Sequence, residues 1–585
     1  MTRPSDVREG ADTYVIGVDY GTLSGRALLV RLGDGAEVAS SVLDYPHGVM
    51  SRELPGGPVL LPEWALQHPQ DYLDVLRHTV PAVLAQAGVR PEQVVGLGID
   101  FTACTVLPTR ADGTPLCFLP GWERRPHAYV KLWKHHAAQP QADRLNAAAR
   151  ERGEGWLARY GGLLSSEWAL AKGLHLLEED PDAYAAAERF IEAADWVVWQ
   201  LTGRETRNVC TAGYKAAYQD GAYPSREYFA SVNPAFADFA DKLRGPLVAL
   251  GECVGGLSTA GAALTGLLSG TAVAAANVDA HVTAPAVGAV GAGQLVAIMG
   301  TSTCHVMTGG GLKDVPGMCG VVQDGILPGH YGYEAGQSGV GDIFAWFVNN
   351  AVPASVRADA DAAGVDLHTH LSTLAAGLRP GESGLLALDW LGGNRSVLVD
   401  ADLTGLVVGL HLHTRPEEIY RALLEATAFG TRVIVENFGV AGVPVHEFIA
   451  AGGLVKNAFL MQLYADVLNL PVSVADTAQA PALGSAMHAA VAAGVYPDIG
   501  AAAAHLARVK KAAYRPNPET RAAYDALYAE YLRLHDAFGR ADGPLFSTMK
   551  TLGRLRRGGG PTEDATPAEA PDATPAEATD AGVLA

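Results

Sequence analysis

The sequence predicts an α/β protein of two domains with a cleft between them. At 585 residues, the chain is longer than the roughly 250–300 residues at which a single core stops growing. Strand-like apolar runs alternate with helix-like periodic runs, which is typical of α/β layers. A strand–turn–strand pattern that begins at Tyr14 returns at Gln294, which favours a duplicated fold.

The first half opens on three short strand-like runs, YVIGV, RALLVRL and EVASSVLDY. The turn after the first run holds Gly21, Thr22 and Ser24, and it follows directly after Asp19. Backbone N–H groups and hydroxyls without steric bulk can bind an anion, most often phosphate. An aspartate beside a phosphate needs a cation between them, so Asp19 is a candidate Mg²⁺ partner, directly or through water. For this stretch alone, a plain strand end with an Asx-type turn is an equally good interpretation.

The second half repeats this plan. The run from Gln294 to Met299 is strand-like, a turn of Gly300, Thr301 and two further hydroxyl residues follows, and CHVM resumes a strand. Two such turns, each opening one half of the chain, can face each other across a cleft. We therefore prefer the phosphate interpretation for both turns.

A βαβ unit is predicted later in the second half. A strand from Phe448 to Ala451 leads into a tight turn at Gly452 and Gly453. A helix from Asn457 to Leu468 and a strand from Val472 to Ala475 follow. The two glycines thus lie at the strand-to-helix turn.

Asp279 lies in AAANVDAHVTAPAVG, where small and apolar residues precede it and a helix is expected to follow. A carboxylate in this position is commonly a helix N-cap. It can also be a catalytic base, which phosphoryl transfer to an alcohol requires. Because Asp279 comes shortly before the second hydroxyl-rich turn, we favour the catalytic interpretation.

The composition limits the classes of binding partner and the cellular compartment that we expect for this protein. The net charge of −20 argues against nucleic-acid backbones and anionic membranes as main partners. The six cysteines are scattered without a CxxC pair, which indicates reduced thiols and not a disulfide frame or a zinc site. The N-terminus lacks the apolar core of a signal peptide, and no apolar span is long enough to cross a bilayer. We expect a cytoplasmic protein.

Four segments are expected along the chain. Residues 1–12 form a flexible N-terminus, residues 13–290 a first domain with the first phosphate turn and the candidate base, and residues 291–550 a second domain with the second phosphate turn. Residues 551–585 form an acidic tail rich in Pro and Ala, which is predicted to be disordered.

Many segments between Tyr14 and Pro497 together resemble the FGGY carbohydrate kinases. The matching segments are VDYGTLSGRALLV, GIDFTACT, KLWKHH, SSEW, CTAGYKAAY, NVDAH, GTSTC, GYEAGQSGVGDIFAWF, LDWLGGNRS, ATAFGTRVIVENF and AAGGLVKNAFLMQLYADVLN. EAGQS-x-x-GD and the CTAGYK stretch are most similar to the bacterial branch that acts on L-ribulose. The resemblance implies two actin-like (ribonuclease H-like) ATPase domains, with the sugar site in the domain of residues 13–290 and the adenosine motif in the domain of residues 291–550.

The resemblance also implies roles for individual residues. Asp279 corresponds to the base that deprotonates the terminal hydroxyl of a ketopentose, and Asp19 to the Mg²⁺-associated aspartate. The nucleotide positions are Gly21, Thr22 and Ser24 in the first turn, Gly300 and Thr301 in the second, and Gly452, Gly453 and Asn457 in the adenosine motif. Ala103, Lys215 and Glu334 correspond to sugar contacts. Lys215 could instead be a solvated lysine, and Glu334 a surface acid.

The implied function is ATP-dependent phosphorylation of L-ribulose to L-ribulose 5-phosphate in L-arabinose catabolism, with ATP and Mg²⁺ as cofactors. One alternative is a kinase for xylulose, D-ribulose or ribitol, because the loop FTACT departs from the family pattern. The chain lacks the Arg-Glu pair of glycerol kinases, which counts against glycerol. A further alternative is a non-catalytic actin-like protein that binds sugar and nucleotide. A homodimer is an open expectation.

Overall fold

The computed structural model describes residues 12–556, and its N-terminal domain is built on a mixed seven-stranded sheet. The central strand Tyr14–Tyr20 pairs antiparallel with Ser24–Arg31, which pairs antiparallel with Glu37–Asp44. On its other side the central strand pairs in parallel with Val94–Phe101. The sheet is completed by Ala272–Ala274, Asn277–Val278 and Cys253–Gly256. The prediction of three antiparallel opening strands is confirmed.

The C-terminal domain repeats this plan in a second seven-stranded sheet. Strand Gln294–Met299 pairs antiparallel with Thr303–Gly309, which pairs antiparallel with Tyr331–Gln337. Its other neighbour is the parallel strand Glu447–Ala451. The sheet is completed by Gly320–Gln323, Val472–Ala475 and Val509–Tyr514. The hairpin at the centre of each sheet, with a parallel strand beside it, confirms the predicted duplication.

Smaller sheets and the helices surround the two main sheets. The four-stranded sheet consists of Leu66–Gln67, Val130–Lys131, Val106–Thr109 and Arg189–Glu192. The two-stranded sheets are Arg207–Asn208 with Leu247–Val248, and Leu386–Leu388 with Leu406–Val408. The N-terminal helices are Pro69–Ala87, Gln139–Arg152, Ala169–Glu179, Pro181–Ala186, Ala193–Thr202, Val209–Ala216, Arg226–Val232, Phe239–Leu243, Thr259–Thr265 and Asp279–Ala286. The later helices are Gly341–Asn350, Ala354–Ala363, Leu367–Ala376, Pro416–Val440, Ala458–Leu468, Ala480–Ala492, Ile499–Leu506, Arg521–Gly539 and Phe546–Arg556.

The last helix changes one boundary drawn from the sequence. Phe546–Arg556 is helical, so residues 551–556, which the sequence assigned to the disordered tail, continue that helix. The rest of the predicted tail, and the predicted flexible residues 1–11, lie outside the described residues. None of the helices within residues 12–556 has the length and apolar character required to span a bilayer.

Helix Ala480–Ala492, here called the bridging helix, joins the two domains. It lies directly on the central strands of the N-terminal sheet. A Cβ atom at Gly17 would come within 1.8 Å of the Ala482 carbonyl oxygen, and one at Gly98 within 2.0 Å of the Ser485 carbonyl oxygen. Glycine is therefore required at both strand positions for the helix to approach this closely.

Candidate active site

A short hairpin turn follows the first strand of the main sheet in each domain. In the first, the Gly21 N–H donates to the Ser24 carbonyl at 2.9 Å, and in the second the Gly300 N–H donates to the Ser302 carbonyl at 2.9 Å. The Thr22 hydroxyl accepts a 3.0 Å hydrogen bond from the Trp133 indole, which fixes the first turn. Each turn leaves further backbone and hydroxyl groups at the end of a central strand, where an anion can approach.

The second turn also receives the start of helix Gly341–Asn350. The Gly341 N–H donates to the Gly300 carbonyl at 3.0 Å, and the Val340 N–H donates to the Thr301 carbonyl at 2.8 Å. Thr301 itself is exposed. The N-terminus of a helix carries partial positive charge, so this docking adds to the anion-binding character of the second turn.

Three carboxylates lie together where the central N-terminal strands end. Asp19 and Asp100 are register partners on parallel strands, and Asp279 begins its helix directly after the strand Asn277–Val278, which also pairs beside Asp100. The Ser485 hydroxyl of the bridging helix donates to Asp100 Oδ2 at 2.6 Å, while Asp100 Oδ1 has no hydrogen-bond partner within residues 12–556. Asp100 was not among the residues predicted from the sequence.

Burial dominates the ionisation of this cluster. Burial raises the pKa of Asp19, and the Arg26 guanidinium, 3.3 Å away, offsets part of this rise. Burial raises the pKa of Asp100 strongly, and the charge of Asp19 adds to that rise. Burial, together with the charge of Asp19, raises the pKa of Asp279 to about 7. A carboxyl with a pKa near neutrality can exchange a proton with a substrate under ordinary conditions.

Lys215 and Glu334 form a buried ion pair that crosses between the domains. Lys215 lies in the last turn of helix Val209–Ala216, and Glu334 lies on strand Tyr331–Gln337 of the C-terminal domain. The Lys215 ammonium donates to both oxygens of Glu334 at 2.8 Å, with the two side chains 4% and 6% exposed. This burial excludes a solvated lysine and a surface acid, the two alternatives left open by the sequence.

The ion pair controls the charge of both partners. Burial alone would raise the pKa of Glu334, but Lys215 and His281 outweigh it and hold that pKa well below its usual range. Burial would lower the pKa of Lys215, but Glu334 outweighs it and raises that pKa. The Lys215 ammonium also lies 5.8 Å from the centre of the Trp168 ring, within cation–π range. The sugar residues named from the sequence thus include one donor and one acceptor, both charged.

Ala103 lies on a loop held by buried charges. Ala103 packs against a buried cluster that includes Val278 and Ala280, the neighbours of Asp279 in the sequence, and it contributes no polar side-chain atom. The next residue, Cys104, has φ +57°, an uncommon value for a residue with a side chain. The Lys172 ammonium donates to the Cys104 carbonyl at 2.6 Å, and Glu192 accepts from the Thr105 N–H at 3.1 Å. Lys172 and Glu192, which the sequence did not single out, therefore stabilise this strained loop.

A second cross-domain ion pair lies near the first. Arg395 of the C-terminal domain contacts Glu167 of the N-terminal domain at 3.0 Å, and the other Glu167 oxygen contacts His136 at 3.0 Å. The Arg395 stem occupies the space that a Cβ atom at Gly336 would need, since the two would lie 2.5 Å apart. Sequence reasoning matched SSEW and GGNRS to the family but missed this contact.

A cavity of about 600 Å³ lies beside the predicted adenosine motif. Gly453 and Asn457 line it, together with Ser372, Tyr420 and Phe344. Its size is within the range of small-molecule sites. The Asn457 side chain accepts from the Leu460 N–H at 3.0 Å, capping helix Ala458–Leu468, and donates to the Ser372 hydroxyl at 3.0 Å.

Gly452 precedes this motif at the end of strand Glu447–Ala451. Its φ is +93°, and a Cβ atom there would lie 2.5 Å from the Met299 carbonyl oxygen of the second hairpin. Only glycine combines this backbone conformation with so close an approach. Gly452 therefore fixes the predicted adenosine motif against the second hairpin.

Comparison with curated proteins identifies relatives over most of the chain. A ribulokinase of Mycolicibacterium smegmatis is 59% identical over 546 residues, covering 93% of this chain and 97% of the relative. A ribulokinase of Geobacillus thermodenitrificans is 55% identical over 546 residues, covering 92% and 96%.

Solved structures show the same fold at low identity. A xylulose kinase from Rhodospirillum rubrum aligns with a TM-score of 0.75 at 23% identity, covering 90% of this chain and 99% of the other. A Plasmodium falciparum glycerol kinase with ADP aligns with a TM-score of 0.70 at 14% identity, covering 90% and 99%. The prediction of two actin-like domains is confirmed.

The domain families agree with this division. The N-terminal domain of the FGGY family of carbohydrate kinases matches residues 14–286, and the C-terminal domain of that family matches residues 295–493. The two matches cover most of the chain and meet at the segment between helix Asp279–Ala286 and strand Gln294–Met299. The chain belongs to the FGGY family of carbohydrate kinases.

Proposed function

We propose that the protein transfers the terminal phosphoryl group of ATP to the terminal hydroxyl of L-ribulose, giving L-ribulose 5-phosphate, in L-arabinose catabolism. The observation that carries this proposal is the half-buried carboxyl of Asp279 within electrostatic reach of the buried ion pair of Lys215 and Glu334, which crosses between the two domains. The names of the Mycolicibacterium and Geobacillus relatives support the choice of sugar.

Asp279 acts as the general base in this proposal. Its pKa of about 7 leaves a substantial ionised fraction at neutral pH, so it can accept the proton of the attacking hydroxyl. The Asp279 Oδ1 atom accepts from the Ala280 N–H at 2.6 Å, which holds the carboxylate at the start of its helix. The hydroxyl oxygen then attacks phosphorus in line as the bond to ADP breaks.

Lys215 and Glu334 bind the sugar. Lysine is a donor and an ionised carboxylate an acceptor, so together they can recognise neighbouring hydroxyls of a ketopentose. Ala103 leaves room for the sugar beside Asp279. Because Glu334 belongs to the C-terminal domain and Lys215 to the N-terminal domain, the sugar site needs both domains. Their closure would exclude water, which otherwise competes as the acceptor.

The two turns and the cavity bind the nucleotide. Gly21, Thr22 and Ser24 hold phosphates from one side, and Gly300 and Thr301 from the other. The cavity beside Gly453 and Asn457 takes the adenosine, against Gly452. Asp19 would hold Mg²⁺, and Asp100 lies beside Asp19 on the neighbouring strand. The oxygen of Asp100 that has no hydrogen-bond partner in the described residues is of the kind that Mg²⁺ prefers as a ligand. The bound ion supplies positive charge that neutralises the phosphates during transfer.

The test is ADP release with Mg-ATP across L-ribulose, D-ribulose, D-xylulose, ribitol and glycerol. The proposal expects the highest kcat/KM with L-ribulose. A higher kcat/KM with another sugar would support a kinase with a different substrate. If the folded protein binds ATP but releases no ADP in response to any sugar, only a binding role remains. The variant Asp279→Asn should lose transfer while still binding nucleotide, and near-normal turnover would reject the base.

Three expectations accompany this function. A homodimer would give twice the monomer mass by light scattering, and a cytoplasmic location would be seen by cell fractionation. With a net charge of −20, we expect no affinity for nucleic acid at physiological salt.

A further inference from the structure

His281 lies at the sugar end of the site, where the proposed reaction gives it no role. It belongs to the first turn of helix Asp279–Ala286, two residues after the proposed base, and its side chain is 1% exposed. Its ring packs against that of Tyr214, with 4.5 Å between the centroids. A polar ring this deeply buried needs a partner or a function.

The partner within reach is Glu334. His281 Nε2 lies 3.2 Å from Glu334 Oε2, beside the two 2.8 Å hydrogen bonds from Lys215. An ionised carboxylate offers about four acceptor directions. Lys215 uses two of them and His281 faces a third, so one direction is left for a sugar hydroxyl.

The contact between His281 and Glu334 is close but not aligned. Neither ring nitrogen of His281 has a well-directed hydrogen-bond partner in the described part of the chain. A small rotation of the Glu334 carboxylate would align it with Nε2, because the distance is already that of a hydrogen bond. Burial lowers the pKa of His281 although Glu334 opposes this, so the ring is neutral and can present one N–H.

We propose that His281 is a positioning residue whose Nε2–H holds the Glu334 carboxylate in the orientation that accepts a sugar hydroxyl. This inference rests on the proposed sugar-kinase function. Because His281 shares a helical turn with Asp279, the same short segment sets both the base and the acceptor for the sugar. The terminal hydroxyl is thereby placed at a fixed position relative to Asp279, which is how binding groups contribute to rate.

The first test compares two amide variants. The amide nitrogen of glutamine reaches the position of Nε2, whereas that of asparagine reaches only the position of Nδ1. His281→Gln should keep kcat/KM for the sugar within about threefold of wild type, and His281→Asn should lower it roughly 10- to 100-fold. KM for ATP should change less than about twofold in both variants. Equal losses in the two variants would overturn the proposal, because a merely structural role does not distinguish the two nitrogen positions.

A double-mutant cycle tests whether His281 acts through Glu334. His281→Asn should lower kcat/KM for the sugar when it is made in the wild-type protein. When the same substitution is made in the Glu334→Gln variant, it should lower kcat/KM by less than about threefold. An undiminished loss in that background would show that His281 acts independently of Glu334, and the proposal would fail.

A matched control addresses the cost of altering any buried histidine. His535 is buried in the C-terminal domain, with its ring centroid 5.5 Å from that of Trp390. His535→Gln and His535→Asn should both lower the melting temperature, and the two variants should have the same kcat/KM for the sugar. If kcat/KM differs between the two His535 variants as much as between the two His281 variants, the positioning role of His281 is refuted.

The substrate panel with wild type keeps this inference distinct from the proposed function. The two amide variants are assayed with whichever sugar wild type phosphorylates best, so another sugar changes the function and leaves this test intact. If wild type phosphorylates none of the sugars, the proposed function fails, and the variants are compared by calorimetric titration with L-ribulose. Absence of sugar binding to wild type would overturn the inference as well.

Discussion

The acid limb of the pH–rate profile should report the ionisation of Asp279. Burial removes water from this carboxylate and the charge of Asp19 repels it, so its pKa rises from 3.8 to about 7, although Lys215 acts in the opposite direction. A base must be ionised to accept a proton, so protonation at low pH removes activity. The rate of sugar phosphorylation should therefore fall as the pH drops through about 7.

The expected size follows from a single titration. A carboxyl with a pKa of about 7 is about one-tenth ionised at about pH 6 and about nine-tenths ionised at about pH 8. The kcat/KM for the sugar should thus rise roughly tenfold between those values. An ordinary aspartate would be almost fully ionised across the whole window, and the corresponding change would be about 1%.

The assay is coupled ADP release at saturating Mg-ATP and constant ionic strength, with the sugar varied at each pH. Lys215→Ala should move the acid limb to higher pH, because the ammonium lowers the pKa of Asp279. A profile that is flat between about pH 6 and 8 would refute the reasoning. An acid limb that persists in the residual activity of Asp279→Asn would assign the titration to another group, such as the nucleotide.

Three further changes separate the sugar site, the nucleotide site and the fold. Lys215→Ala should raise KM for the sugar more than KM for ATP. The same change should lower the free energy of unfolding by about 3–5 kcal/mol, because Glu334 stays buried without its partner. A selective loss of ATP binding would reject the assignment of Lys215 to the sugar site. Asn457→Ala removes a helix cap and a hydrogen bond beside the cavity, so KM for ATP should rise several-fold while KM for the sugar stays constant. Gly17→Val should give mostly aggregated protein, whereas the control Gly33→Val, which has no described atom within 4 Å of an added Cβ, should stay soluble.

The local parts of the fold were predictable because their signals are local. Alternating apolar residues and glycine turns indicated both central hairpins. The four-stranded sheet was not predicted, because strands such as Leu66–Gln67 and Val130–Lys131 are too short to show alternation.

Residue chemistry alone named Asp19, the two hydroxyl-rich turns and Asp279 as candidates, and the family resemblance added Ala103, Lys215 and Glu334. Asp100 had a usable signal, since VVGLGID ends on an aspartate just as YVIGVD does, and parallel pairing of those strands brings the two carboxylates together. Lys172 and Arg395 had none, because their partners are a backbone carbonyl 68 residues away and a carboxylate 228 residues away. The sequence also placed the sugar site in the first domain, whereas Glu334 comes from the second.

The cross-domain contacts explain why sugar recognition and water exclusion go together in this fold. Two ion pairs join charges from opposite domains: Lys215 with Glu334, which is buried, and Arg395 with Glu167, whose side chains are 29% and 14% exposed. Separating the domains at this end would leave charges without their partners unless water entered, and both changes oppose sugar binding. These two ion pairs therefore hold the domains together at the sugar end of the candidate site, where a water molecule would compete with the sugar hydroxyl for the phosphoryl group.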